Sequence, residues 1–165
     1  MAQDWIYYDT QDVSTTNNAD IEFFANEEGV DGIHITNLSS KNEIPENEEF
    51  VVEEIITFPT PDIETNDIYE LYEEGMVEFM ISGNRQLIVP AILCGCPARY
   101  EQTAEDVADA GTDSSCTPYG SGYKLRKPIV LRGGVPFAVK FRTGTTAAGA
   151  GDSIIIALKG QLTRR

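Results

Sequence analysis

The chain has 165 residues, enough for one domain, and its content of 41 % hydrophobic and 24 % charged residues argues against extensive disorder. No apolar run approaches the roughly 18–20 residues of a membrane-spanning helix, and the opening segment MAQDWIYYD lacks the basic and apolar regions of a secretory signal. The 12 basic and 27 acidic side chains give a net charge of −15, which excludes a protein that binds nucleic acid over its general surface.

The first 48 residues are acidic and contain three short apolar islands, at 5–8, 21–24 and 33–35. Each island is long enough for a strand and too short for a helix. We interpret residues 1–48 as an extended N-terminal arm or as accessory strands, outside a main domain at 49–165 that closes its own core. The aromatic side chains of this segment need a surface to cover them. They are therefore interface candidates: Trp5, Tyr7, Tyr8, Phe23 and Phe24.

The main domain opens with a β-rich run at 50–58, which prolines end. One short helix is predicted at about 66–74, because Ile68, Leu71 and Tyr72 share a helical face and Gly75 suits a helix C-terminus.

A hairpin is predicted next. Strands at 76–81 and 86–93 flank Ser82-Gly83-Asn84, which has turn-forming residues. Pro90 indicates that the second strand lies at a sheet edge or is bulged, because proline donates no ladder hydrogen bond.

Residues 95–122 form an insert without sustained periodicity, which is long for a compact domain. The three cysteines, Cys94, Cys96 and Cys116, lie in it or beside it. An odd number of cysteines without a secretory signal favours free, packed thiols. The alternative is a disulfide from Cys94 or Cys96 to Cys116. The spacing Cys-Gly-Cys without a nearby histidine does not predict a zinc site.

The last third of the chain has the clearest strand pattern. Apolar side chains alternate along two predicted strands, and we expect them to share one sheet face at the centre of the core. They are Val135, Phe137, Val139 and Phe141, followed by Ile154, Ile156 and Leu158. Many short strands with one helix predict an all-β fold, a single jelly roll or antiparallel β-sandwich.

Charge is divided unevenly along the sequence. Residues 1–123 hold three basic and 26 acidic side chains, a net of −23, whereas residues 124–165 hold nine basic side chains and one acidic, a net of +8. One interpretation is internal, with late strands lying beside early strands. Another is that the basic face of one protomer meets the acidic face of a neighbour. A basic tail touching nucleic acid is the third and is opposed by the acidic bulk.

No catalytic or cofactor motif is present. The one histidine, His34, has no cysteine or serine partner in a recognisable arrangement. The segment 144–149 lacks the lysine of a phosphate-binding loop and is predicted to be a hairpin loop. Asp62, Glu64 and Asp67 do not have the spacing of a calcium-binding EF-hand loop. We therefore expect no enzyme, no cofactor and no metal.

The second half, about 62–165, resembles small bacteriophage virion proteins with a single jelly-roll domain. The resemblance rests on DIYELYEEG leading into MVEFMISGN, and on QLIVP running to the corner Cys96-Pro97. It rests further on KPIVL, VPFAV and SIIIALKG, before an ending that carries Arg164 and Arg165.

The resemblance implies a structural protein: a capsid cement or decoration protein, a vertex component or a minor capsid protein. It implies residence in the virion after synthesis in the host cytoplasm. The implied partners are the major capsid protein, other virion subunits or further copies in a homo-oligomer, with a trimer favoured, and no membrane or specific nucleic acid. Arg164 and Arg165 join the interface candidates.

Two alternatives belong to other functional classes. A carbohydrate- or ligand-binding module of a phage tail or host-recognition structure would use Tyr100, Tyr119 and Tyr123 for stacking, although Trp5 is the only tryptophan. An enzyme on a cupin-like jelly roll would need a histidine cluster, which one histidine does not provide.

Overall fold

The computed structural model describes residues 2–13, 18–60, 71–95, 99–101, 115–117, 122–145 and 152–164. In these residues most of the chain lies in antiparallel strands. The strands are β1 (Ala2–Asp12), β2 (Asp20–Phe23), β3 (Glu48–Pro59), β4 (Met76–Ile81), β5 (Asn84–Pro90), β6 (Arg99–Glu101), β7 (Ser115–Thr117), β8 (Tyr123–Arg132), β9 (Phe137–Arg142) and β10 (Ser153–Arg164). The helical segments are α1 (Glu28–Asp31), α2 (71–74) and α3 (Ala91–Cys94).

Two four-stranded sheets form a sandwich. The first sheet has the order β1-β10-β3-β8 and the second has the order β2-β9-β4-β5. The antiparallel pairs β1–β10, β2–β9, β3–β8 and β4–β5 are nested, as in one long hairpin rolled over into two layers. Eight strands connected in this way form a jelly roll. The predicted all-β antiparallel sandwich is therefore confirmed.

The N-terminal segment belongs to both sheets. β1 pairs along its whole length with β10, and β2 pairs with β9. Tyr7, Phe23 and Phe24 are buried in the core of their own chain. Of the two interpretations of residues 1–48, the structure shows strands and not an extended arm. The expectation that residues 49–165 close the core alone is wrong, because residues 1–48 contribute side chains to the core. The partner strands of β1 and β2 come from the far end of the chain, a distance that local patterning does not report.

The core lies between the two sheets, and the predicted core residues contribute from both sides. Phe137, Val139 and Phe141 lie on β9 of the second sheet. Their counterparts lie on β10 of the first sheet and are fully buried: Ile154, Ile156 and Leu158. The expectation of one shared face is corrected, because β9 and β10 follow each other in sequence but lie in different sheets. Val135 precedes β9 and is only partly buried.

The predicted hairpin is confirmed, although its second strand is Asn84–Pro90 and residues 91–93, expected in that strand, are helical in α3. Ser82 and Gly83 join β4 to β5 with φ angles of 47° and 77°, as in the two-residue turns that match the strand twist. Pro90 ends β5, which is an edge strand of the second sheet. Residues 71–74 are helical, and the start of the predicted helix lies outside the described residues.

The insert at 95–122 contains regular structure where it is described. Arg99–Glu101 and Ser115–Thr117 pair as a two-stranded antiparallel ribbon. The absence of periodicity in the sequence did not predict these strands, because three residues are too few to show alternation. Cys96 and Tyr119 lie outside the described residues, as do Asp62, Glu64 and Asp67.

Candidate interaction surface

Two basic side chains near the end of the sequence form ion pairs with acidic side chains from its first third. Arg164 lies 2.8 Å from Glu48, and Lys159 lies 3.6 Å from Glu54. These pairs form because β10 lies beside β3 in the first sheet. The internal interpretation of the charge division is confirmed for these residues.

Glu78 is the centre of a second charged group, on the outer face of β4. Its side chain is buried under Arg85 and Arg142, and Arg142 Nη2 lies 2.7 Å from Glu78 Oε2. The hydrogen bond from Arg85 and the nearby positive charges lower the pKa of Glu78 and outweigh the opposing effect of desolvation. Arg142 also reaches Asp20 on β2, at 3.2 Å. The outer face of the second sheet therefore carries a compensated network.

Glu48 links the two ends of the chain. Tyr7 Oη donates to Glu48 Oε2 at 2.7 Å, and Arg164 Nε donates to Glu48 Oε1 at 2.8 Å. Burial and the adjacent carboxylate raise the pKa of Tyr7. Arg164 is exposed but already paired, and Arg165 lies outside the described residues. This arrangement makes Arg164 a contributor to the fold.

Basic side chains without an acidic partner are concentrated on β8. Lys124, Arg126, Lys127 and Arg132 are all exposed, and none forms an ion pair with another described residue. We call this set the basic edge, because β8 is an edge strand of the first sheet.

A large bulge presents the basic edge. β3 and β8 pair at Val52–Ile129 and again at Glu54–Lys124, so Glu53 alone faces the four residues 125–128. Bulges of this kind re-aim side chains away from a sheet. Arg126 and Lys127 are two of the four residues. The register break thus explains why these charges find no partner on β3.

An apolar groove lies beside the basic edge, on the side where β5 and β8 are the edge strands of their sheets. The cavity has a volume of about 510 Å³. Its apolar lining includes the exposed Pro128 and Val130 and five partly buried side chains that also pack against the core: Ile81, Leu87, Tyr123, Leu125 and Ile129. Arg126 and Lys127 also line it. The groove therefore combines an apolar floor with a positive rim.

A second cavity, of about 430 Å³, lies near the opposite edge of the first sheet. Trp5 is one of its lining residues, with Asn37 and Lys159. The indole Nε1 is buried without a hydrogen-bond partner among the described residues. Trp5 and Tyr8 are partly buried, and Tyr8 Oη donates a hydrogen bond to the carbonyl oxygen of Ile33.

The remaining candidates are dispersed. His34 is exposed in the connection after α1, and Tyr123 lines the groove. Cys94 is a free thiol, and burial raises its pKa to about 12. Within the described ranges, no group of three or more metal-binding side chains is found. The described helices include none with the length and apolarity to cross a membrane.

Sequence reasoning missed the groove, although it noted Tyr123 and the net charge after residue 123. The groove depends on the bulge in β8 and on the position of β5 in the other sheet, and neither has a sequence signal. Comparisons with protein-family models, curated proteins and solved structures found no match for this chain.

Proposed function

We propose that this chain is a structural protein of a bacteriophage virion, acting as a capsid cement or decoration protein that stabilises the shell through subunit contacts. The observation that carries the proposal is the basic edge beside the apolar groove. An apolar floor with a charged rim has the composition of a protein-binding surface. Jelly rolls serve as viral capsid subunits, and also as lectins and cupins. The fold alone therefore does not support a capsid role, and the proposal rests on the surface.

The charges favour a protein partner over nucleic acid. Arg85, Arg142, Lys159 and Arg164 are paired internally, which leaves the basic edge as a local positive surface on a chain with a net charge of −15. An extended polyanion would meet the acidic surroundings as well as the edge. A protein with a compact acidic patch would avoid most of that repulsion.

The test is to locate the protein and then to remove it. Purified phage particles from a host that expresses the tagged chain are analysed by mass spectrometry, and particles with and without the chain are compared for genome release on heating. We expect the chain in the particles and release at a lower temperature without it. The variant Lys127→Glu should bind particles less well than the control Lys41→Glu. Absence of the chain from purified particles would contradict the proposal.

The Trp5 cavity favours a second candidate, a carbohydrate-binding module of a tail or host-recognition structure. An aromatic ring beside carboxylate, amide and amino groups suits a sugar, which can stack on the ring. Screening on glycan arrays tests this candidate, with Trp5→Ala as the variant that removes the ring. Binding that Trp5→Ala abolishes would support it, and no glycan binding would contradict it.

A further inference from the structure

The side of the molecule opposite the groove carries exposed apolar side chains next to acidic ones. Val30 in α1 is 74 % exposed and Ile33, just after it, is 63 % exposed. Glu27 and Glu28 lie next to them in sequence, and neither pairs with a described basic residue. We call Glu27, Glu28, Val30 and Ile33 the acidic knob. It combines exposed apolar side chains with negative charge.

The knob is held in place by β1. The amide of Thr10 donates to the carbonyl oxygen of Ile35 at 3.0 Å, and Thr36 Oγ1 donates to the carbonyl oxygen of Tyr8 at 2.9 Å. β1 and β8 are the two opposite edges of the first sheet, with β10 and β3 between them. The knob therefore lies on one lateral side and the groove on the other, so a single chain cannot bring them together.

We propose that the acidic knob of one copy docks into the groove and against the basic edge of a second copy. Val30 and Ile33 enter against the groove floor, including Leu87 and Leu125, while Glu27 and Glu28 meet Arg126 and Lys127. Exposed apolar side chains rimmed by charge are typical of interaction sites. The occupant is another copy because this chain itself carries, on its opposite side, acidic and exposed apolar side chains that complement the basic and apolar lining of the groove.

The contact is heterologous, because two different surfaces meet. Such contacts leave one knob and one groove free at the ends of a chain of copies, and they form rings where the rotation closes. Pro128 and the lysines of β8 disfavour simple edge-to-edge strand pairing, so side chains provide the contact. The inference rests on the proposed function, in which the basic edge binds a protein partner, and it identifies that partner as a neighbouring copy of the chain.

The experiment measures mass in solution by light scattering over a concentration series of the full chain. We expect masses above the 18.2 kDa of one copy. Raising the salt from about 0.1 M to about 1 M, which shortens the screening length from about 10 Å to about 3 Å, should weaken association several-fold. Lys127→Glu should weaken it about tenfold or more, since like charges would then face each other. The matched control Lys41→Glu should leave it unchanged.

A mixing experiment tests the heterologous geometry. One variant, Val30→Ser with Ile33→Ser, keeps the groove, and the other, Arg126→Glu with Lys127→Glu, keeps the knob. Each alone should be monomeric, and an equimolar mixture should form one-to-one dimers and nothing larger. Ile92→Ser with Leu93→Ser removes similarly exposed apolar side chains at the other end of β5 and should assemble normally. Circular dichroism confirms that each variant is folded.

Two results would overturn the inference: a wild-type chain that stays monomeric throughout the series, or a mixture that stays monomeric. In either case, presence of the chain in purified particles would leave the proposed function standing with a different partner. Absence from particles with intact self-association would reject the proposed function alone.

Discussion

The carboxylate of Asp9 on β1 accepts a hydrogen bond from the backbone amide of Phe24, with Oδ2 and the amide nitrogen 2.7 Å apart. Phe24 has a φ of 65°, which is uncommon for a bulky residue, and its ring is buried 5.4 Å from the ring of Phe137. Gln11 donates to the same carboxylate oxygen at 2.8 Å. Asp9 thus fixes the chain where it leaves the second sheet to cover the edge of the first.

We expect Asp9→Ala to destabilise the fold by about 1–3 kcal/mol, because the buried amide of Phe24 would lose its acceptor. Asp9→Asn keeps an acceptor oxygen and should cost less. Desolvation raises the pKa of Asp9, so folding favours its protonated form relative to the unfolded chain. The loss of stability from ionising Asp9 should therefore appear as pH rises above the ordinary aspartate range. Urea unfolding measures both effects, and equal costs for the two variants would contradict the assigned role.

Deleting residues 1–48 should prevent folding. The deletion removes an edge strand from each sheet and takes Tyr7, Phe23 and Phe24 out of the core. Far-ultraviolet circular dichroism and thermal melting of the truncated chain, beside the full chain as control, make the measurement. A cooperative melt with a β-type spectrum would show that the remaining strands suffice.

Phe137→Ala should destabilise the protein by about 3–5 kcal/mol, the cost of truncating a fully buried aromatic ring. The ring is 2 % exposed and stacks on Phe79 with ring centroids 6.1 Å apart. Val135→Ala is the matched control, and as a partly buried position before the strand it should cost about 1 kcal/mol or less. Chemical denaturation of both variants tests the difference. Similar costs would place Phe137 outside the core.

Glu78→Gln should reduce the sensitivity of stability to acid. The pKa of Glu78 is lowered in the folded state, so on acidification the unfolded chain takes up this proton first. The stability that Glu78 contributes is present above the ordinary glutamate pKa and is lost as pH falls through its folded value. At neutral pH the variant should cost more than the ~0.2–1 kcal/mol of an exposed pair. It should cost less than the ~3–5 kcal/mol of a fully buried pair, because both arginines reach water.

Unfolding free energies of wild type and Glu78→Gln, measured from neutral pH down to about 3, give the difference. It should shrink as pH falls. A constant difference over that range would show that ionisation of Glu78 does not contribute.

Cys94 should resist alkylation in the folded protein at about pH 8. Its thiol is buried, and burial raises its pKa to about 12, so the reactive thiolate is scarce and inaccessible. Peptide mapping after brief iodoacetamide treatment, with and without denaturant, locates the label. We expect labelling of Cys94 in denaturant only. Rapid labelling of the folded chain would contradict its placement beside the core.

The sequence correctly predicted the features that depend on neighbouring residues. Turn chemistry at Ser82-Gly83 located the β4–β5 hairpin, and alternation identified the buried face of β9 and of β10. These features depend on neighbouring residues only: a backbone that must turn, or side chains that point alternately to two faces. For the same reason the all-β class followed from the sequence.

Pairing between distant segments was decided by the tertiary structure. No local pattern indicates that Glu48 on β3 accepts hydrogen bonds from both Tyr7 on β1 and Arg164 on β10. Nor does any local pattern indicate that β9 and β10 belong to different sheets. Strands with similar alternation do not specify their pairing partners, which are determined by packing of the whole core. The basic edge depends on a register break opposite Glu53, which is set by packing across three strands. The sequence by itself therefore determined the strand content and the charges, and the closed sandwich decided which charges are neutralised and which remain at the surface.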